Sequence, residues 1–262
     1  MHDPYVYPGT RVLKNKLGIK NLAGLREAEE NFVSIRIMEI EKTPIKGSFD
    51  YSHLKAIHKY IFQDVYSWAG KPRTIGISKA QSILGGRSVD YPHPNSAFDN
   101  LQARADYVFG ELKKDNYLKG MDELTFERRM VHHASEIWET HPFREGNTRT
   151  TVVFIRQCAK EAGYPLSSHP FGDSENTRDA FVLATAGKPE NLASIISNAR
   201  KLSQLRSIAE YCCKVKNMTG GLKQRFVDSV MDEAYSKFDK GESIPVPSKH
   251  SFVKSVDPDL EI

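Results

Sequence analysis

The sequence predicts a mainly all-α bundle carrying one small β-hairpin. Apolar residues recur at helical spacing in most segments, strand-like alternation is scarce, and one segment past the middle is apolar on nearly every side. Leu22, Leu25, Phe32 and Ile35 form a first stripe after Asn21, a capping residue type. Leu54, Ile57, Ile61 and Val65 form a second, stopped by Gly70 and Pro72. Phe98, Leu101, Ala105, Val108 and Leu112 mark a third helix, entered at Pro94 and Asn95, and Phe126, Met130, Ala134 and Ile137 a fourth. All four are expected to face one core. Between the second and third, residues 73–79 and 88–91 flank Gly85 and Gly86 and read as a hairpin flap. Val152, Val153, Phe154, Ile155, Cys158, Ala159 and Ala162 then make the all-round apolar helix, closed by Gly163 and Pro165, which belongs at the centre of a bundle. Helices at about 175–186 and 190–211 complete it. Thr219, Gly220 and Gly221 interrupt the pattern before an amphipathic stretch with Phe226, Val230 and Phe238, and a proline-, serine- and charge-rich tail follows from 243. The expected organisation is a domain over 1–212, with its core at about 50–205 and its flap at about 73–91, then an appended helix and partly irregular tail over 213–262.

Composition sets outer limits. Hydrophobic residues at 39% and charged residues at 27% of 262 are those of a soluble globular chain. The balance of 37 basic against 33 acidic residues, a formal +4, is no polycation, so no nucleic-acid partner is expected. Three cysteines, Cys158 and the adjacent Cys212 and Cys213, make no disulfide framework and suit a reducing cytosol. No apolar run is long enough for a bilayer, and residues 1–10 do not read as a cleavable secretory signal, so no membrane association is expected. The expected setting is the cytoplasm of the producing cell. An address read by a specialised secretion machine, delivering the chain into a host cell, would escape this reading.

The chemistry concentrates in His141-Pro142-Phe143-Arg144-Glu145-Gly146-Asn147-Thr148-Arg149-Thr150, a loop feeding the buried helix. At a helix amino end unpaired N–H groups converge and the dipole favours anions, so the geometry suits phosphate oxygens. Gly146 lets backbone approach a ligand, Asn147 can cap the helix or donate its amide, and Arg149 can add a charge-assisted fork. Glu145 supplies a hard oxygen for Mg²⁺ beside a polyphosphate. His141, with an ordinary pKa of about 6.5, is the natural base for an incoming hydroxyl.

This run resembles the motif of Fic (filamentation) domains, His-x-Phe-x-(Asp/Glu)-Gly-Asn-Gly-Arg-x-x-Arg. The resemblance extends from Tyr5 to about Leu205 and includes the run Ile57 to Tyr66 with Trp68-Ala69-Gly70, similar to the first core helix of Fic domains in bacterial effectors and toxin modules. It implies a Fic-type bundle and an adenylyltransferase. His141 would deprotonate a Ser, Thr or Tyr hydroxyl of a target protein, which attacks the α-phosphate of ATP and leaves AMP on the target. Phe143 would anchor the loop, Glu145 would hold Mg²⁺, Gly146 and Asn147 would bind phosphate, and Arg149 would meet the β-phosphate. The flap, through Arg73, Thr74, Ile75, Gly76 and Ile77, would register an extended target segment.

Two positions depart from the pattern: Thr148 replaces a glycine, and Val152 replaces the second arginine, with Arg156 one turn on as a candidate substitute. The family's inhibitory pattern, (Ser/Thr)-x-x-x-Glu-(Gly/Asn), is missing, so restraint would come from a separate antitoxin-like protein or from weak intrinsic activity. Alternatives are a degenerate Fic fold that binds nucleotide or protein without reaction, and a phosphotransferase with altered nucleotide orientation. Plainer readings stand beside these. His132, His133, Glu136 and Glu139 read as a helix surface before a metal site, Trp68 as core, Arg73 and Arg87 as solvated edge charges, and Cys212-Cys213 as an inert pair.

Overall fold

The computed structural model describes residues 3–256. Helices α1 (Leu22–Lys42), α2 (Tyr51–Phe62), α3 (Leu101–Lys114), α4 (Glu123–Thr140), α5 (Asn147–Glu161), α6 (Ser174–Thr185), α7 (Glu190–Val215), α8 (Gly220–Asp239) and α9 (Lys249–Val256) carry the architecture. Strands β1 (Ser78–Ala80) and β2 (Ser88–Asp90) form an antiparallel pair with Lys79 opposite Val89. The mainly helical fold with one hairpin is the architecture expected.

Local chemistry sets most helix starts. Asn21, Asp50, Asn100, Asp122 and Asp173 each accept a backbone N–H of the first turn at the entrances of α1, α2, α3, α4 and α6. The third helix therefore begins at Asn100 rather than at Pro94 and Asn95, and Phe98 lies outside it, fully exposed. In α1 the face also differs from expectation. Leu25, Val33 and Ile40 turn inward, whereas Leu22, Phe32 and Ile35 point to solvent. This helix has apolar residues on two sides, and packing on α2 selects one.

Helix α5 takes the centre, in contact with α2, α4 and α6, and Phe154, Ile155 and Ala159 are buried among them. A second apolar cluster uses the later half of α7 (Leu202, Leu205, Ala209, Cys213) with Val227, Met231 and Ala234 of α8 and Ile244. α7 thus belongs to both clusters, and the appended segment packs along it. The tail holds a helix the composition concealed: α9 docks on α7, with Val253 buried. Its last residues, 257–262, and the first two of the chain lie outside the described residues. Cys212 and Cys213 are buried free thiols, and Trp68 is a core residue stacked on Tyr66 at 4.2 Å between ring centroids.

Candidate active site

The loop between α4 and α5 is assembled by residues far from it in sequence. His141 ends α4 in the left-handed region (φ 45°), and Gly146 opens α5 with φ 82°. Between these two turns Asn147 folds back: its Oδ1 accepts the Phe143 N–H at 2.9 Å and its Nδ2 donates to the Phe143 carbonyl at 2.8 Å. The cap position therefore falls to Gly146, and the Asn147 side chain is occupied in shaping the loop. No side chain caps α5, so the N–H groups of its first turn face outward to the pocket. Phe143 is fully buried and stacks on His58 at 3.7 Å.

His58, on α2, holds the loop from beneath. Its Nδ1 accepts the Gly70 N–H at 2.8 Å, which leaves Nε2 protonated to donate to the Glu145 carbonyl at 3.1 Å. Burial pushes its pKa down to about 3. Burial likewise lowers His53, His133 and His141. In the unfolded chain these rings take up protons near pH 6.5, whereas the folded chain keeps them neutral, so their contribution is complete above that pH and is lost as pH falls through each ring's depressed folded value, about 3 for His58. For His58 alone the slope approaches about 1.4 kcal/mol per pH unit below its unfolded value. Urea midpoints taken from pH 7 to pH 4 should fall less steeply for His58→Gln than for the unsubstituted protein; parallel curves would refute the assignment.

A cleft lies above the loop, lined by Lys79 and Gln81 of the flap, Tyr91, Trp138, His141, the 145–149 turn and Arg178 of α6. Its free space is about 100 Å³, room for phosphate groups rather than a whole nucleotide. The His141 ring is 3% exposed, stacks on Tyr91 at 3.8 Å and faces Trp138 edge-on. Lys79 Nζ approaches its Nε2 at 3.4 Å. An ammonium can only donate, so Nε2 presents its lone pair to the cleft and Nδ1, which has no partner, carries the proton. The expectation of a pKa near 6.5 is corrected: burial first, then the charges of Lys79 and Arg73, hold it well below that value. The resting ring is therefore neutral, and a polyphosphate beside it would offset those two charges and raise its basicity.

The Glu145 carboxylate is about one-third exposed at the cleft wall. Its Oε1 accepts the Gly146 N–H at 2.9 Å and lies 3.7 Å from Arg149. Thr148 adopts helical backbone, so a glycine is not required for conformation, and its hydroxyl accepts from Trp138 Nε1 at 3.0 Å. Val152 is half-buried, and Arg156 does not replace the second arginine: its Nε donates to the Leu166 carbonyl and it pairs with Glu41. The lead-in cluster is structural. Glu136 and Glu139 pair with Arg104, and His133 bonds Asp115 at 2.7 Å. Among the described residues no group of three or more such side chains could hold a metal.

Residues 73–77 depart from expectation. They are not strand: the ladder begins at Ser78, with the Ile77 carbonyl still accepting the Tyr91 N–H, while Arg73 ties the start of the stretch to the loop. Arg73 donates from its backbone N–H to the Pro142 carbonyl and from its side chain to the carbonyls of His141, Ile75 and Pro92. It is 2% exposed, so it is no solvated edge charge, whereas Arg87 remains one. The Thr74 N–H bonds the Tyr5 hydroxyl, and a Cβ at Gly76 would lie 2.6 Å from the His93 ring. Sequence reasoning gave no role to His58, Lys79, Tyr91, Trp138 or Arg178, since only folding brings them to the motif.

Similarity to known proteins coincides with this architecture. The Fic/DOC family model matches residues 48–159, from just before α2 nearly to the end of α5. The chain is 37% identical over 74% of its length to the protein adenylyltransferase VbhT of Bartonella schoenbuchensis, and spans 38% of that protein. Its fold matches the BepC effector of Bartonella tribocorum, solved with bound AMPPNP, at a TM-score of 0.62 and 23% identity, over 74% of this chain and 95% of that one. No helix among the described residues is long and apolar enough to cross a membrane. At 30% identity over 63% of its length to the "probable protein adenylyltransferase Fic" of Escherichia coli, covering 76% of that relative, and with the family's loop built as above, the chain belongs to the Fic/DOC family.

Proposed function

We propose that the chain transfers AMP from ATP to a hydroxyl of a target protein. The observation that carries this reading is the buried His141 Nε2, lone pair toward the cleft, beside the uncapped amino end of α5. The target oxygen attacks the α-phosphorus in line and its proton passes to Nε2. The bond to the β-phosphate breaks, and pyrophosphate leaves. First-turn N–H groups of α5 and the Arg149 guanidinium hold phosphate oxygens throughout. This is catalysis by positioning and charge neutralisation with one proton transfer. The names of the relatives and the nucleotide in the Bartonella tribocorum structure support it.

The donor set at the cleft fits Mg²⁺. One carboxylate, Glu145, stands on the wall with an oxygen beyond the one bonded to Gly146, and a magnesium ion is commonly held by one or two carboxylates together with substrate phosphates. When bound it supplies charge neutralisation to the phosphate chain. For the target, an extended segment would lie along the outer edge of β1, which among the described residues pairs with β2 alone. Ser78, Lys79 and Ala80, the ladder residues, thus join residues 73–77 of the flap in the proposed docking edge. A cytosolic setting, in the producing cell or after delivery into another, and control by a separate antitoxin-like protein complete the proposal.

Incubation with cell lysate, Mg²⁺ and ATP labelled at either the α- or the γ-phosphate tests it. Protein-bound label from the α-position alone is expected. Label from the γ-position would show phosphotransfer, and absence of both would favour a binding module.

A further inference from the structure

Glu29 lies on α1, outside both the motif and the matched residues 48–159, yet its carboxylate reaches the back of the pocket wall. Its Oε1 accepts from Arg149 Nη2 at 2.5 Å and its Oε2 accepts from the Tyr66 hydroxyl. The Glu29 side chain is 12% exposed and Tyr66 is buried. The Arg149 guanidinium also lies over the Phe62 ring, 4.9 Å from its centroid. Two segments thus hold the arginine from behind, α1 through Glu29 and α2 through Phe62, and the turn after α2 holds Glu29 in its turn through Tyr66.

We propose that Glu29 is a positioning residue of the nucleotide site, fixing Arg149 in the pose from which its remaining N–H groups meet the phosphate chain. The inference rests on the nucleotidyl-transfer reading and makes α1 part of the active site. A guanidinium has five N–H donors, and Glu29 bonds only through Nη2. Arg149 still lines the cleft with the carboxylate attached, while Glu29 does not, so the contact supports the pocket rather than blocking it. An unclamped arginine would lose its rotamer freedom when ligand binds; here that ordering accompanies folding. With Val152 at the second arginine position, Arg149 is the arginine of α5 that lines the cleft, so its pose matters more.

Glu29→Ala and Tyr66→Phe, the second removing only the hydroxyl that holds Oε2, test this in the full chain by Mg²⁺–ATP affinity and transfer kinetics, with and without Arg149→Ala. Glu29→Ala should raise the Kd and KM for ATP about 10- to 100-fold, with a smaller effect on kcat. Tyr66→Phe should act in the same direction more weakly, and neither should add to Arg149→Ala. Unchanged affinity, equal losses in both backgrounds, or increased activity would overturn the proposal. A parent protein that binds no ATP and transfers no label would instead refute nucleotidyl transfer itself.

Discussion

His141→Ala is expected to lower transfer by about 10²- to 10⁴-fold, the usual contribution of a positioned base, while leaving Mg²⁺–ATP affinity nearly unchanged. The ring lines the cleft beside the α5 amino end, where the proposed phosphate-binding groups sit, so its loss should remove the proposed proton acceptor without removing them. Truncation also removes the stack on Tyr91 and leaves a void under the flap, so a displaced Lys79 is expected to add to the deficit. His141→Asn, polar and smaller, should be equally inactive if proton transfer dominates. Single-turnover rates beside calorimetric binding separate the two effects. Undiminished transfer in both variants would place the base elsewhere.

Gly146→Ala should produce the largest structural effect. The residue sits at φ 82°, and an added Cβ would lie 2.1 Å from Phe62 Cζ. Left-handed backbone costs a non-glycine residue about 1–2 kcal/mol, and overpacking a tight site about 1–3 kcal/mol. A loss of about 2–5 kcal/mol is therefore expected, against a typical total of about 5–15 kcal/mol. The ring that must yield also supports Arg149, so transfer should fall with stability. Urea midpoints and transfer rates measure both, and a neutral substitution would contradict the loop geometry.

The fold was legible where one face of each helix is apolar. Leu54, Ile57 and Ile61 of α2 and Phe126, Met130, Ala134 and Ile137 of α4 all enter the core as their spacing predicts. In α1 the pattern is ambiguous, because Phe32 and Ile35 compete with Val33 and Ile40, and only contact with α2 decides which side is buried. α9 was hidden because a short helix in polar sequence depends on docking to α7.

The site was legible as a motif and illegible as a network. Loop chemistry is local, so His141, Glu145, Gly146 and Arg149 could be singled out together. The groups that set their state come from elsewhere in the chain: His58 under Glu145, Lys79 against His141, and Glu29 behind Arg149. Arg73 shows the limit most clearly. An arginine beside a predicted hairpin reads as a solvated charge, yet three carbonyls accept from this side chain, and burial lowers its pKa to about 10.

The most direct test is a crystal structure of the His141→Ala protein, in which slowed transfer should preserve the nucleotide, grown with Mg²⁺ and ATP. Phosphate oxygens are expected on the first-turn N–H groups of α5, the metal on Glu145, and the α-phosphorus facing the position vacated by the imidazole. A triphosphate bound with its γ-phosphorus at that position, or bound away from α5 altogether, would contradict this expectation.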